Sequence, residues 1–327
     1  MPVLESSFTA PPLWARGRHL ETIIPAFFRK VEGVVYTRER LVMADADFID
    51  LDWSVRGYQK LAILNHGLEG SSKQPYVLGM VKELNNGGWD TLSWNFRSCS
   101  GELNNHIRLY HAGSTEDLAN VVSHALKEKK YKEIALIGFS LGGGIVLKYL
   151  GEYPLEPEIA KAIVFSAPCD LYGCAQTLSA GFNRIYLTYF LMTLKSKLLK
   201  KSKLYPEILS GTEWPKIDNF AEFDDHFTAP LHGFKDSLDY YIACSAKKNI
   251  LDIPIPTLII NAANDPFMNE SCYPIEECLK SKNVFLEMPA NGGHLGFMKD
   301  TINGRYWSEV RASSFLSKQT FSSEHRL

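Results

Sequence analysis

The stretch Ile134–Glu152, IALIGFSLGGGIVLKYLGE, runs from an apolar segment through a glycine-rich turn into a helical pattern. Ser140 stands between Gly138 and Gly142, in the arrangement Gly-x-Ser-x-Gly. That pattern is short, so its meaning depends on what surrounds it: a strand must feed it, a helix must leave it, and an acid and a histidine must follow. A serine carried on so tight a strand-to-helix turn needs neighbours without side chains, which the flanking glycines supply. The turn also aims the first amides of the following helix at the serine, where their partial positive charge favours a developing oxyanion. Leu141 N–H is the expected donor.

Further along the chain the required partners are present. A serine hydroxyl is a weak nucleophile until a base takes its proton, and the base is held in turn by a carboxylate. For a serine presented in this way the order is Ser, acid, His, with the last two on loops after late strands. TLIINAANDPF (257–267) places Asp265 just past an apolar run, and FLEMPANGGHLGF (285–297) places His294 in a glycine-rich loop past the next one. Asp170, after the run AIVFSAP, is the alternative acid. A second oxyanion donor is expected from the loop that ends LAILNHGLEG (61–70), where Leu68 N–H is the choice. His66 precedes the serine and reads as a turn-shaping residue.

Outward from the serine the chain alternates β-rich runs with helical ones. An opening hairpin is expected from VVYTRERLVM and DFIDLDWSV. Strands follow at LAILNH, WDTLSWNF, EIALIGF, AIVFSAP, TLIINA and NVFLEMP. Between them, Val77, Met80, Val81 and Leu84 recur at helical spacing before a stop at Gly87, and Ser114 with Asp117 is placed for a capping box. A final helix is expected from about Tyr306 to Leu316. Strands of almost wholly apolar residues separated by helices predict a mostly parallel eight-stranded sheet covered on both faces. Residues 169–250 break the alternation with aromatic helical segments and are expected to form a helical cap inserted into a single domain spanning 1–327. The last residues, SSEHRL, are expected to be loose.

Composition agrees with such a domain. The chain has 327 residues, 45% hydrophobic and 22% charged, which excludes disordered and fibrous classes. A formal net charge of -2 gives no footprint for a nucleic-acid partner. MPVLESSFTAPPLWARGRHLE lacks the basic start and apolar core of a secretory signal, and a cytoplasmic protein is expected. The six cysteines, Cys99, Cys169, Cys174, Cys244, Cys272 and Cys278, are scattered through a long chain and read as buried free thiols.

Several blocks together carry a resemblance: NHGLEGSSKQPY, NFRSCSGELN, YHAGSTEDL, GFSLGGGIVLKYLGE, IPTLIINAANDPFM and, near the start, GRHLETIIPAFF. Across residues 11–300 the chain resembles the α/β-hydrolase family that includes the bacterial YheT-like esterases and the animal abhydrolase-domain lipid hydrolases. The resemblance implies the α/β-hydrolase fold, a helical cap, and Ser140, Asp265 and His294 acting together on carboxylic esters, apolar or lipid-like, through an acyl-enzyme. No metal or organic cofactor is implied. Transfer of the acyl group to an alcohol, or a non-catalytic binding role on the same scaffold, are the alternatives. Relatives often carry Asn where this chain has Gly144, and two successive acids where it has Asn264-Asp265, so only Asp265 offers a carboxylate there.

The other polar blocks fit structural roles. Arg97 is expected to pin a loop through hydrogen bonds to carbonyls, with anion binding as the alternative, and His111 to shape a loop or helix start. The segment IYLTYFLMTLKSKLLKK joins an apolar run to Lys195, Lys197, Lys200 and Lys201. A cap helix with a solvated lysine end is the first expectation, and weak contact with a membrane surface the second.

Overall fold

Among the described residues nine strands build one sheet in the order β1-β9-β8-β7-β6-β4-β5-β3-β2. They are β1 (Val3–Leu4), β2 (Thr37–Val42), β3 (Phe48–Ser54), β4 (Lys60–Asn65), β5 (Asp90–Trp94), β6 (Glu133–Phe139), β7 (Ile159–Phe165), β8 (Thr257–Ile260) and β9 (Val284–Glu287). Pairing is antiparallel only at β2–β3 and β3–β5 and parallel everywhere else. The computed structural model describes residues 3–128, 130–206 and 214–318. The SSEHRL segment and residues 207–213 of the expected cap lie outside the described residues.

Eight of the strands are the ones the sequence predicts. The ninth, β1, has two residues, pairing Val3 with Leu286 and Leu4 with Glu287. An element that short leaves no periodicity to detect.

The helices are α1 (Arg18–Phe28), α2 (Pro75–Asn86), α3 (Thr115–Glu128), α4 (Leu141–Glu152), α5 (Leu171–Leu178), α6 (Arg184–Lys201), α7 (Phe220–Phe223), α8 (Ala229–His232), α9 (Ser237–Cys244), α10 (Ile275–Lys280) and α11 (Trp307–Ser317). Because side chains alternate across a strand, the central strands feed two cores. Leu61 and Ile63 of β4 and Leu136 of β6 pack with Val122 of α3 and Ile145 of α4. Ala62, Leu64 and Ile137 pack on the other face with Val77 and Val81 of α2 and Phe315 of α11. Every described residue of α5 through α9 falls between β7 and β8, with a third apolar cluster of its own that includes Leu194, Phe220 and Phe227.

One local expectation is corrected. Ser114 and Asp117 do not pair as a capping box, because both side chains are engaged elsewhere. Ser114 Oγ accepts from His111 N–H, and the Asp117 carboxylate receives the Arg97 guanidinium at 2.9 and 2.8 Å. A two-pronged contact with a cation outweighs the single backbone N–H that a cap would offer the carboxylate.

Candidate active site

Ser140 joins β6 to α4 with φ 52° and ψ -124°, a conformation that costs a residue with a Cβ on the order of 1–3 kcal/mol. The surrounding packing holds it there. A Cβ at Gly138 would lie 2.5 Å from Gly143 Cα, one at Gly142 2.3 Å from the His66 carbonyl oxygen, and one at Gly143 2.7 Å from Ala167 Cβ. These three glycines let strand, turn and helix close on one another. Gly144 differs: its nearest neighbour to an added Cβ is Pro168 O at 4.0 Å.

The three residues named from the sequence meet at this turn. His294 Nε2 lies 2.9 Å from Ser140 Oγ, and its Nδ1 lies 2.9 and 3.2 Å from the two Asp265 oxygens. An ionised carboxylate only accepts, so Nδ1 carries the proton and Nε2 is left to accept from the serine hydroxyl. Asp265 is 1% exposed, and its Oδ1 also accepts from Phe267 N–H at 2.9 Å. The Phe267 ring stacks on the imidazole with centroids 3.9 Å apart. The alternative acid, Asp170, is not part of this set. It caps α5, where its carboxylate accepts from Tyr172 N–H.

What places His294 is the N-terminal helix. Gly292 and Gly293 take positive φ, 139° and 53°, and expose successive amides to α1 and its surroundings. Gly292 N–H donates to Glu21 Oε2 at 2.5 Å, Gly293 N–H to Asn264 Oδ1 at 2.9 Å, and His294 N–H to Thr22 Oγ1 at 2.9 Å. Asn264 Nδ2 in turn donates to Glu21 Oε2, and Leu295 N–H donates to Ser166 Oγ. At its other end α1 is anchored by Arg29, whose guanidinium pairs with Glu309 at 2.6 Å and lies over the Tyr306 ring. The only signal in the sequence for these contacts is the block GRHLETIIPAFF, which names no role for Glu21 or Thr22.

On the other side of Ser140 runs the loop after β4. A Cβ at Gly67 would come 3.1 Å from Ser140 Cβ, and Leu68 and Leu141 line a common hollow with the serine. Leu141 is the first residue of α4, so its N–H has no acceptor within the helix. His66 is buried. Its Nδ1 donates to Gly67 O at 2.7 Å and its Nε2 accepts from Phe96 N–H at 3.0 Å. Burial pushes this imidazole down to about 3, so it stays neutral and braces the loop. Glu69, at φ 53°, is gripped by Tyr110 and by Lys197 of α6, whose ammonium lies 2.6 Å from Glu69 Oε1.

Other expectations resolve as follows. Arg97 pins its loop through the carboxylates of Asp45, Asp47 and Asp117, not through carbonyls. His111 shapes its loop, with Nδ1 accepting from Gly113 N–H, and its ring lies against His232. Of the four lysines expected at the cap rim, Lys197 binds Glu69 and Lys201 is buried with its ammonium on the carbonyls of Asn104 and His106, so only Lys195 and Lys200 are exposed. The two inward lysines bind acceptors from neighbouring loops that sequence spacing does not reveal. All six cysteines are free thiols, four of them buried.

Two hollows meet at Ser140. One runs beneath α6 to α9 and is lined chiefly by apolar side chains such as Leu109, Leu194, Phe220 and Phe223. The other passes between α1 and α6, with Phe27, Ile185 and Tyr189 among its outer residues and His294 at its inner end.

A family profile described as alpha/beta hydrolase fold matches residues 62–301. The chain is 35% identical over 306 residues to the Escherichia coli protein named "Putative esterase YheT", covering 91% of this chain and 90% of that one. It is 30% identical over 299 residues to the mouse phospholipase ABHD3, covering 88% and 73%. Among solved structures it is similar to the Pyrococcus furiosus esterase Pf2001, with a TM-score of 0.57 over 95% of this chain and 97% of that one at 17% identity, a likeness of fold.

Proposed function

The chain belongs to the α/β-hydrolase fold family, and we propose that it is a carboxylic ester hydrolase working through Ser140, His294 and Asp265. One observation carries this reading: the unbroken hydrogen-bond series from Ser140 Oγ through the His294 ring to Asp265, set on a strained turn. Ser140 Oγ attacks the ester carbonyl carbon as His294 Nε2 takes its proton. Asp265 keeps the ring in the working tautomer and stabilises its cation. The amides of Leu68 and Leu141 receive the oxyanion. The imidazolium then protonates the departing alkoxide, leaving Ser140 acylated, and water repeats the sequence to release the acid and restore the serine.

The hollow beneath α6 to α9 suits an apolar acyl chain, since nothing along most of its wall compensates a polar one. The hollow beside α1, with Glu69 and Gln74 in its lining, is assigned to the alcohol portion. Residues 169–250 act as a cap within one domain. The names esterase and phospholipase among relatives support an ester of this kind.

The test is a panel of nitrophenyl esters and acylglycerols of graded chain length, together with a fluorophosphonate probe. Wild type hydrolyses the esters and is labelled at Ser140. Ser140→Ala is unlabelled and loses at least about 10³-fold in kcat. Full activity in that variant refutes the mechanism.

A further inference from the structure

Helix α1 leaves large apolar side chains uncovered on its outer side. Its polar residues Glu21 and Thr22 are buried against the His294 loop, while Leu20, Phe27 and Phe28 are 46%, 65% and 62% exposed. Elsewhere a surface helix turns its apolar stripe inward. The exposed side continues onto α6, where Ile185, Tyr189 and Met192, spaced i, i+4 and i+7, are 52%, 51% and 67% exposed. Contacts of His19 with Tyr186 and of Phe27 with Tyr189 join the two helices into one face. Scattered apolar side chains on a surface are ordinary, whereas a contiguous set of large ones marks an interaction site.

Two further features say what meets this face. From Leu13 to Lys30 and from Gly181 to Lys200, Glu21 is the one acidic residue, and it is buried. The exposed charges on these stretches include Arg16, Lys30, Arg184, Lys195 and Lys200, all positive. In addition, the face surrounds the hollow that ends at Ser140 and His294, with Phe27, Ile185 and Tyr189 belonging to both. We propose that α1 and α6 dock the protein on a lipid surface bearing anionic headgroups, with this hollow turned toward the lipid. Apolar side chains enter the headgroup boundary while the basic rim meets the negative surface. Among the described residues no helix is long and apolar enough to cross a membrane.

The proposal goes beyond ester hydrolysis and is tested apart from it. Binding is measured by co-sedimentation of the Ser140→Ala protein with phosphatidylcholine vesicles, with and without phosphatidylglycerol, and compared with a variant that also carries Leu20→Ser, Phe28→Ser and Met192→Ser. Expected are binding that strengthens with phosphatidylglycerol, weakens with added salt, and falls at least tenfold in the triple substitution. The same triple substitution on the Ser140-containing protein keeps its activity on a short soluble ester within about twofold and loses activity on vesicle-borne ester. Absence of vesicle binding, equal binding to both vesicle types, or unchanged binding by the variant overturns the proposal. So does a dimer in solution that the same substitutions convert to a monomer, since a second copy would then cover the face.

Discussion

At the scale of single residues, the glycines around Ser140 divide into those the turn cannot do without and one it can. Gly144 lies inside α4 with open space beside it and no positive φ, so replacing it by alanine removes unfolded-state freedom without a clash. Gly144→Ala is expected to stabilise the protein by about 0.5–1 kcal/mol with kcat unchanged, and Gly142→Ala, driven against the His66 carbonyl, to destabilise it severely. Thermal melting of the two variants checks this, and a lower Tm for Gly144→Ala would contradict it. The meeting of Ser140, Asp265 and His294 is legible in the sequence because each sits on the turn or loop that follows a recognisable apolar strand, in a fixed order. Asp117 misleads for the opposite reason. Its spacing from Ser114 matches a local capping pattern, but a buried arginine 20 residues earlier claims the carboxylate.

At the scale of elements, α1 is where sequence reading falls short. Glu21 meets Gly292 across 271 residues, and Thr22 meets His294 across 272, so no local pattern ties them together. The pairing exists because β8 and β9 are parallel neighbours in the sheet and the loops that follow them both meet α1. Glu21 accepts from Gly17, Gly292 and Asn264, and without it the histidine loop loses its anchor on that side. Glu21→Ala is therefore expected to lower kcat about 10–100-fold on a short soluble ester, with KM moving less than about threefold, because small displacements of a base are costly while the substrate hollow is left in place. Steady-state kinetics decide it: a loss carried wholly by KM would mean that Glu21 serves binding and not the placement of His294.

For the molecule as a whole, the buried histidines set the response to acid. Burial pushes His66 and His111 down to about 3 and His232 to about 4, against an ordinary value of 6.5. As pH falls below about 6.5 the unfolded chain takes up protons that the folded one refuses, so stability is complete above that value and is lost progressively toward pH 3–4. For His66 alone the loss is about 1.4 kcal/mol per pH unit within that window. Asp224 works in the other direction: burial raises its carboxyl to about 7, so between 3.8 and 7 it favours the fold more as pH falls. Burial raises the Glu309 carboxyl as well, and three histidines outweigh these two carboxyls, so urea unfolding is expected to give a lower midpoint at pH 5 than at pH 7. A higher midpoint at pH 5 would show that the carboxyls dominate.

The clasp between α1 and the His294 loop also fixes an order in time. Its first half is made before β2 and its second half only after β9, with eight of the nine described strands threaded between them. A nascent chain can build its strands and even the Ser140 turn before the His294 loop exists, so the contact between Ser140 and His294 waits until that loop has been made and has met α1. Refolding from urea should repeat that order, with far-ultraviolet circular dichroism recovering before fluorophosphonate labelling of Ser140. Simultaneous recovery would mean that the clasp forms with the sheet and not after it.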